Sequence, residues 1–532
     1  MSDSQKKQNF LQGTALLAMA TAIVKVIGAL YKIPLNNIIG EQGFGYYSTA
    51  YEIYTLLLMI STAGLPVAMS RMVAGASSLG HYRRVRKIYT VARAIFLTLG
   101  LGGAILMTLF CRQLAAFQQQ PDAWAAIGAL GPCCFLICLM STYRGFFQGQ
   151  GNMIPTSVSQ VLEAIAKLVV GIAAALLVKF YTRNISLAAG AAIMGVTVSC
   201  LVSSFYLNYA FRKAYREMPQ TAEDTDAGKD IAKGLLTIAI PITIGSAGLQ
   251  LLTVLETKIY MTQLLTFLSQ DTADIHKGIY SMALTIFNMP CAFITPITVS
   301  IIPAITSQLA TGDAKAAKAT EESSARIAAL ISMPCAFGLA ILAQPVTQLL
   351  GGYSGEKLVL ATQLMSVLGV CIVFNTFVLL TTAIMQAHGH EKLPVVNMFV
   401  GGLLKLAAVF LLTGNPNIGI LGTPIGSLAC YLCITVLNLF AMGRVLEQPP
   451  AILRNIFRAL ASAAIMGVFA WGSWQGLIRV LGADLSPVIA CAIPIAVGAA
   501  IYVVAAVKLK AITRDDCLLL PKGEKIANLL HL

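Results

Sequence analysis

The sequence predicts an all-α polytopic membrane protein: two six-helix lobes related by a parallel repeat, followed by two more helices. Three observations predict it. Of the 532 residues, 57% are hydrophobic and only 11% charged, and the mean hydropathy is +0.76, whereas a soluble domain carries about 25% charged residues. Apolar runs long enough to cross a hydrocarbon core of about 30 Å recur along the whole chain. Short motifs of the first half return in the second, in register.

In chain order, about fourteen runs are long enough to span: near 11–35, 45–77, 88–110, 123–143, 156–180, 187–210, 235–268, 277–305, 326–348, 357–383, 394–413, 419–443, 455–479 and 486–508. The polar N-terminus MSDSQKKQNF leads into an apolar run with no small-residue cleavage site, so the first run reads as a retained span and not a signal peptide. An even number of crossings puts both termini on one side. Loops sharing that side hold Arg83, Arg84, Arg86, Lys87, Arg144, Arg212, Lys213, Arg216, Lys229, Lys233, Lys315, Lys318, Lys392 and Arg444, with Lys508, Lys510, Lys522 and Lys525 in the tail. Opposite loops hold little beyond Arg112, Arg183, Lys277, Lys357 and Arg479. The positive-inside rule then makes both termini cytoplasmic and accounts for most of the net charge of +14 without a nucleic-acid partner.

The longest polar stretch, at 211–234, reads as a cytoplasmic linker. It divides a lobe at 1–210 from a lobe at 235–443, with two helices at 444–508 and a cytoplasmic tail at 509–532. The repeat supports this division. GYYSTAYEIY from Gly45 answers GIYSMALTIF from Gly278, and QGQGNMIPTSVSQVLEAIAKL from Gln148 answers QAHGHEKLPVVNMFVGGLLKL from Gln386. LNYAF from Leu207 resembles LNLFA from Leu437. An offset of an even number of helices makes the repeat parallel.

Charges inside these apolar runs are the candidate site, because an ionisable group at mid-membrane costs at least about 2.5 kcal/mol and should face a partner or a wet cavity. The first hairpin holds Lys25, Lys32, Glu52 and Arg71. Lys25 lies near the midplane if its helix begins at Phe10. Lys32 and Glu52 sit at matched depth and could pair, either as helix glue or as part of a site. Arg71 follows the interruption Gly64-Leu65-Pro66, and is either a snorkelling arginine or a cavity group. Glu163 and Lys167, spaced i,i+4, can pair locally. Lys405 repeats Lys167, but Gly401 stands where the first half has Glu163. Glu256 and Lys258 point different ways, so at least one should face a cavity. Such a set, richer in cations than acids, suits a phosphate or pyrophosphate.

No catalytic arrangement is visible and no cofactor is implied, so the chain reads as no enzyme. The five histidines lie in loops or the tail, and His388-Gly389-His390 reads as a solvated loop more than a metal site. The twelve cysteines are scattered in apolar runs without metal or disulfide spacing.

The stretches from Gly13 to Ala74 and from Tyr143 to Leu168 resemble the polysaccharide-flippase branch of the multidrug/oligosaccharidyl-lipid/polysaccharide (MOP) exporter superfamily. Within it the chain is most similar to the stage V sporulation protein B group, related to the lipid II flippases. The resemblance implies a cavity that alternates between membrane faces and a lipid-linked oligosaccharide substrate with a pyrophosphate headgroup. It also implies essential basic residues in that cavity. Lys25 and Lys32 fall at positions that are cationic in those flippases, and Arg71 falls where a further cavity arginine is expected. The expected activity is inward-to-outward flipping of an undecaprenyl-pyrophosphate-linked glycan in the cytoplasmic membrane, driven by a coupling ion or the membrane potential. A multidrug/cation antiporter of the same superfamily and a non-transporting envelope or sporulation scaffold are the alternatives.

Overall fold

The computed structural model describes residues 3–219, 227–482 and 485–512. Among them the chain is almost entirely helical, with no strand. The helices are α1 (Asp3–Thr62), α2 (Leu65–Ser78), α3 (Tyr82–Leu109), α4 (Cys111–Phe117), α5 (Trp124–Gly149), α6 (Ile154–Thr182), α7 (Ile185–Glu217) and α8 (Gly228–Leu264), continuing with α9 (Gln270–Ala310), α10 (Ala314–Ile341), α11 (Ala343–Gly351), α12 (Gly355–Ala387), α13 (Lys392–Thr413), α14 (Gly422–Val445), α15 (Ile452–Leu481) and α16 (Pro487–Lys508). Thirteen described segments are long and apolar enough to cross a membrane, so the protein is a multi-pass membrane protein.

The first segment counts twice. A straight helix of 60 residues, the length of α1, would run about 90 Å, three times the hydrocarbon thickness. It is broken at Gly40, whose φ of 74° and ψ of 174° lie outside the helical region. Only glycine takes that conformation without strain. The two expected spans at 11–35 and 45–77 thus meet at this break, and helix covers each of the fourteen expected runs. The interruption expected at Gly64-Leu65-Pro66 is present too: α1 stops at Thr62, and α2 starts at Leu65 with Pro66 in its first turn, where a missing N–H costs nothing.

Of the expected linker at 211–234, α7 takes the residues to Glu217 and α8 those from Gly228, while residues 220–226 lie outside the described part. The tail beyond residue 512, with Lys522 and Lys525, lies outside it as well.

Packing divides the chain into two compact units, Met1–Ser281 and Met282–Leu532. In the first, α6 packs along α7 and α5 on both α3 and α7, while α1 touches α5, α6, α7 and α8. Small residues permit these contacts: a Cβ on Gly195 of α7 would come within 2.3 Å of the Gly171 Cα on α6. In the second unit, α10 packs with α12 and α15, α12 with α14, α13 with α14, and α15 with α16. Its core includes Ile305, Ala329, Met333, Leu380, Ile384 and Ala463. Described cysteines are free and mostly buried, as the scattered spacing predicts.

Candidate functional site

The first unit concentrates its charges along the second half of α1. Residues Phe44, Tyr47, Tyr51 and Tyr54 recur at helical spacing and form one aromatic stripe, with ring centroids 5.8, 5.4 and 5.7 Å apart in sequence order. Tyr31, from the first half of α1, joins it at 6.2 Å from Tyr47 and donates from its hydroxyl to the Ala192 carbonyl on α7 at 3.2 Å. The signal lies in FGYYSTAYEIY, where an aromatic recurs every three or four residues.

Lys167 of α6 reaches this stripe. Its ammonium donates to the Tyr51 hydroxyl at 2.8 Å and lies 4.7 and 5.3 Å from the ring centroids of Tyr51 and Tyr31. Aromatic faces and a phenol oxygen hold a cation without neutralising it. The expected local pair with Glu163 is not made. Glu163 instead accepts from Arg144 Nη2 at 3.0 Å, and Arg144 Nε donates to Ser159 at 3.1 Å. Arg144 follows the apolar run at 123–143 and so counts among the loop charges in the sequence. In the structure it sits within α5, only 15% exposed, and its planar fork fits the carboxylate better than an i+4 ammonium on the same helix does.

Glu52 is partnered, though not by Lys32. Lys277 Nζ donates to its Oε1 at 2.8 Å and Thr257 Oγ1 to its Oε2 at 2.7 Å, while Lys277 also reaches Thr257 Oγ1 at 3.3 Å. Lys277 is 0% exposed and Glu52 16%. The tally of loop charges assigned Lys277 to a loop, whereas it occupies the second turn of α9 with Tyr260 beneath it at 5.4 Å. A buried cation facing a half-buried acid with both carboxylate oxygens engaged is an arrangement that offsets desolvation. Lys32 is left half-buried, close enough for its charge to act on Lys167 and Glu52. Among the described residues, Lys32 and Lys167 have no carboxylate within ion-pair distance.

The other predicted residues divide. Glu256 is buried, and Lys258 lies 3.8 Å from the Phe117 ring centroid; Thr257 between them is the residue that joins the Glu52 cluster. Lys25 and Arg71 are exposed on α1 and α2. Lys405 is half-buried in the second unit. His388, expected to be solvated, is 20% exposed and bonds Glu321 of α10 at 2.7 Å, because the turn after α12 folds against that helix.

Beyond Glu52 toward Gly40, a hydrogen-bonded seam closes α1 onto α9. Gly45 and Gly278 make the close approach: a Cβ on Gly278 would fall 1.7 Å from the Glu41 carbonyl oxygen. Asp274, 1% exposed, accepts from Tyr46 at 3.1 Å, Gln120 at 2.8 Å and Gln270 at 3.1 Å. Gln42 donates to Asp271 at 3.1 Å and to Tyr46 at 2.9 Å, and Thr49 bonds Gln120. None of these seam residues is among the expected site residues: Gln42, Tyr46 and Gln120 are neutral, and Asp271 and Asp274 precede the expected span at 277–305. The repeat did mark Gly45 and Gly278.

Known proteins align with this arrangement over its length. Stage V sporulation protein B of Bacillus subtilis (strain 168) is 24% identical over 522 residues, 97% of this chain and 98% of that protein. Lipid II flippase MurJ of the same organism is 26% identical over 416 residues, 74% of this chain and 76% of that protein. Among solved structures, a lipid II flippase MurJ in an inward closed conformation superposes with a TM-score of 0.68 at 13% identity, over 92% of this chain and 98% of that one. An inward-facing multidrug resistance MATE family transporter of the MOP superfamily gives 0.64 at 17% identity, over 80% and 98%. Residues 10–309 match the family described as polysaccharide biosynthesis protein. The chain therefore belongs to the polysaccharide biosynthesis protein family.

Proposed function

We propose that this transporter is no enzyme but a flippase that moves an undecaprenyl-pyrophosphate-linked glycan, a peptidoglycan or polysaccharide precursor, from the inner to the outer leaflet of the cytoplasmic membrane. Both termini are cytoplasmic, and the lobes at 1–210 and 235–443 are the moving parts of an alternating-access cycle driven by a coupling ion or the membrane potential. One observation carries this reading. The pairs Glu52–Lys277 and Arg144–Glu163 cancel their own charge, while Lys167 on the aromatic stripe and Lys32 near it have no carboxylate at ion-pair distance among the described residues. An organic cation would be repelled there, whereas a pyrophosphate supplies the missing anionic charge. The lipid II flippase among the relatives supports the same substrate class.

The test is the purified protein titrated with lipid II and, in parallel, with organic cations, followed by transport in vesicles. Lipid II should bind and the cations should not, and Lys25→Ala should abolish transport while the protein still inserts. Tight cation binding without lipid binding would overturn the reading. The seam gives a second test. Cysteines at Gln42 and Asp271, whose side chains already bond at 3.1 Å, should crosslink in a background cleared of reactive native cysteines, block transport, and release it on reduction.

A further inference from the structure

A cavity of about 1200 Å³ opens between the residues just before the Gly40 break, the end of α6 and the start of α7. We propose that it binds the headgroup of an anionic glycerophospholipid of the surrounding bilayer. Its position is the membrane boundary, because two spanning helices, α6 and α7, meet there with only Arg183 and Asn184 between them. Its polar rim is Asn37, Lys179, Arg183 and Asn184, and no acid is among its lining residues.

The two cations are available to a phosphodiester. Lys179 donates to the Ile38 carbonyl, and an ammonium has two further donors and keeps its whole charge. Arg183 is exposed and sits in the left-handed region at φ 51°, closing α6. Glycine is the usual residue at such a helix end, and a side chain there costs about 1 kcal/mol of strain. Keeping arginine at a strained corner places a fork of donors on the rim that glycine would not supply.

The walls suit acyl chains. Leu176 and Leu177, one turn inward, are 50% and 58% exposed, and Phe180 and Tyr181 are 80% and 78% exposed at the level where aromatic side chains anchor in the headgroup region. Lys179 lies three helical turns from Lys167 on α6, roughly 18 Å along the axis, so the cavity is separate from the candidate substrate cluster. Because Lys179 bonds a carbonyl two residues before Gly40, a lipid held here would bear directly on the break in α1.

Native mass spectrometry of the full-length protein with phosphatidylglycerol or phosphatidylcholine tests this. The protein should retain phosphatidylglycerol in preference to phosphatidylcholine, and Arg183→Gln should weaken that retention about fivefold, with Lys179→Gln adding a similar loss. Arg479→Gln, at the exposed end of α15, should leave it unchanged. Equal retention of the two lipids, no effect of Arg183→Gln, or an equal effect of Arg479→Gln would each overturn the proposal. Since Lys179→Gln also removes a bond to α1, Arg183→Gln is the deciding variant should the first fail to fold.

Discussion

The two units carry related sequences and hold themselves together by different chemistry. In the first, charged side chains meet within the helix bundle: Glu52 with Lys277, Arg144 with Glu163, and Lys167 on tyrosines. In the second, the buried acid Glu321 meets His388 at the end of α12, and the polar cluster within α12, α13 and α14 is neutral. Asn438, fully buried, donates to Thr381 at 2.9 Å and accepts from Asn397 at 2.8 Å, and Thr435 donates to the Phe374 carbonyl at 3.3 Å. The position matched by the repeat shows the divergence most directly. Where the first half has Glu163 reaching Arg144, the second has Gly401, and a Cβ there would stand 2.4 Å from Ile434 on α14. One copy uses the site for charge and the other for close helix approach. A charge in hydrocarbon is a functional-site hypothesis by default, and the difference between these two matched positions is what the following variants test.

The largest effect expected from breaking this contrast is at Lys277. Lys277→Met leaves Glu52 buried without its cation and should cost about 3–5 kcal/mol of stability, whereas Glu52→Gln with Lys277→Met should recover most of it. Unfolding in detergent followed by circular dichroism gives the double-mutant cycle. Additive losses would mean that the two residues act separately. Lys167→Gln comes next: it removes a surplus cation with no acid to strand, so the fold should survive while transport falls by at least about tenfold, a difference of about 1.4 kcal/mol. Lys405→Gln, its counterpart by repeat, should change transport by less than about twofold. A flipping assay on both variants in vesicles decides, and equal losses would erase the functional asymmetry between the units.

The fold was legible because hydropathy and length are integrated over twenty residues at a time, and all the expected crossings have helices. The charges within the apolar runs are visible in the sequence, but their pairing is not. Lys32 with Glu52 and Glu163 with Lys167 were paired by depth and by helical spacing, which are local rules. The actual partners, Lys277 and Arg144, lie 225 and 19 residues away in the chain. A one-dimensional rule for loop charges had already set both aside as topology signals. The seam around Asp274 was invisible for another reason: Gln42, Tyr46 and Gln120 are ordinary at span ends, and only the closeness of Gly45 to Gly278 brings them to one carboxylate.

The smallest expected effect tests the neutral half of the contrast. Asn438→Leu removes the link between Asn397 and Thr381 and replaces it with a side chain of similar volume. Hydrogen bonds between membrane helices are worth about 0.6 kcal/mol on average and at most about 1.7, because the separated helices also find polar partners. The variant should therefore lose about 0.6 to 1.7 kcal/mol, well below the Lys277→Met loss, and transport should persist. The same detergent unfolding curve measures it. A loss of 3 kcal/mol or more would mean that the Asn438 network supports the second unit as strongly as the Glu52–Lys277 pair supports the first, and the contrast between the two clusters would then be one of composition without an energetic counterpart.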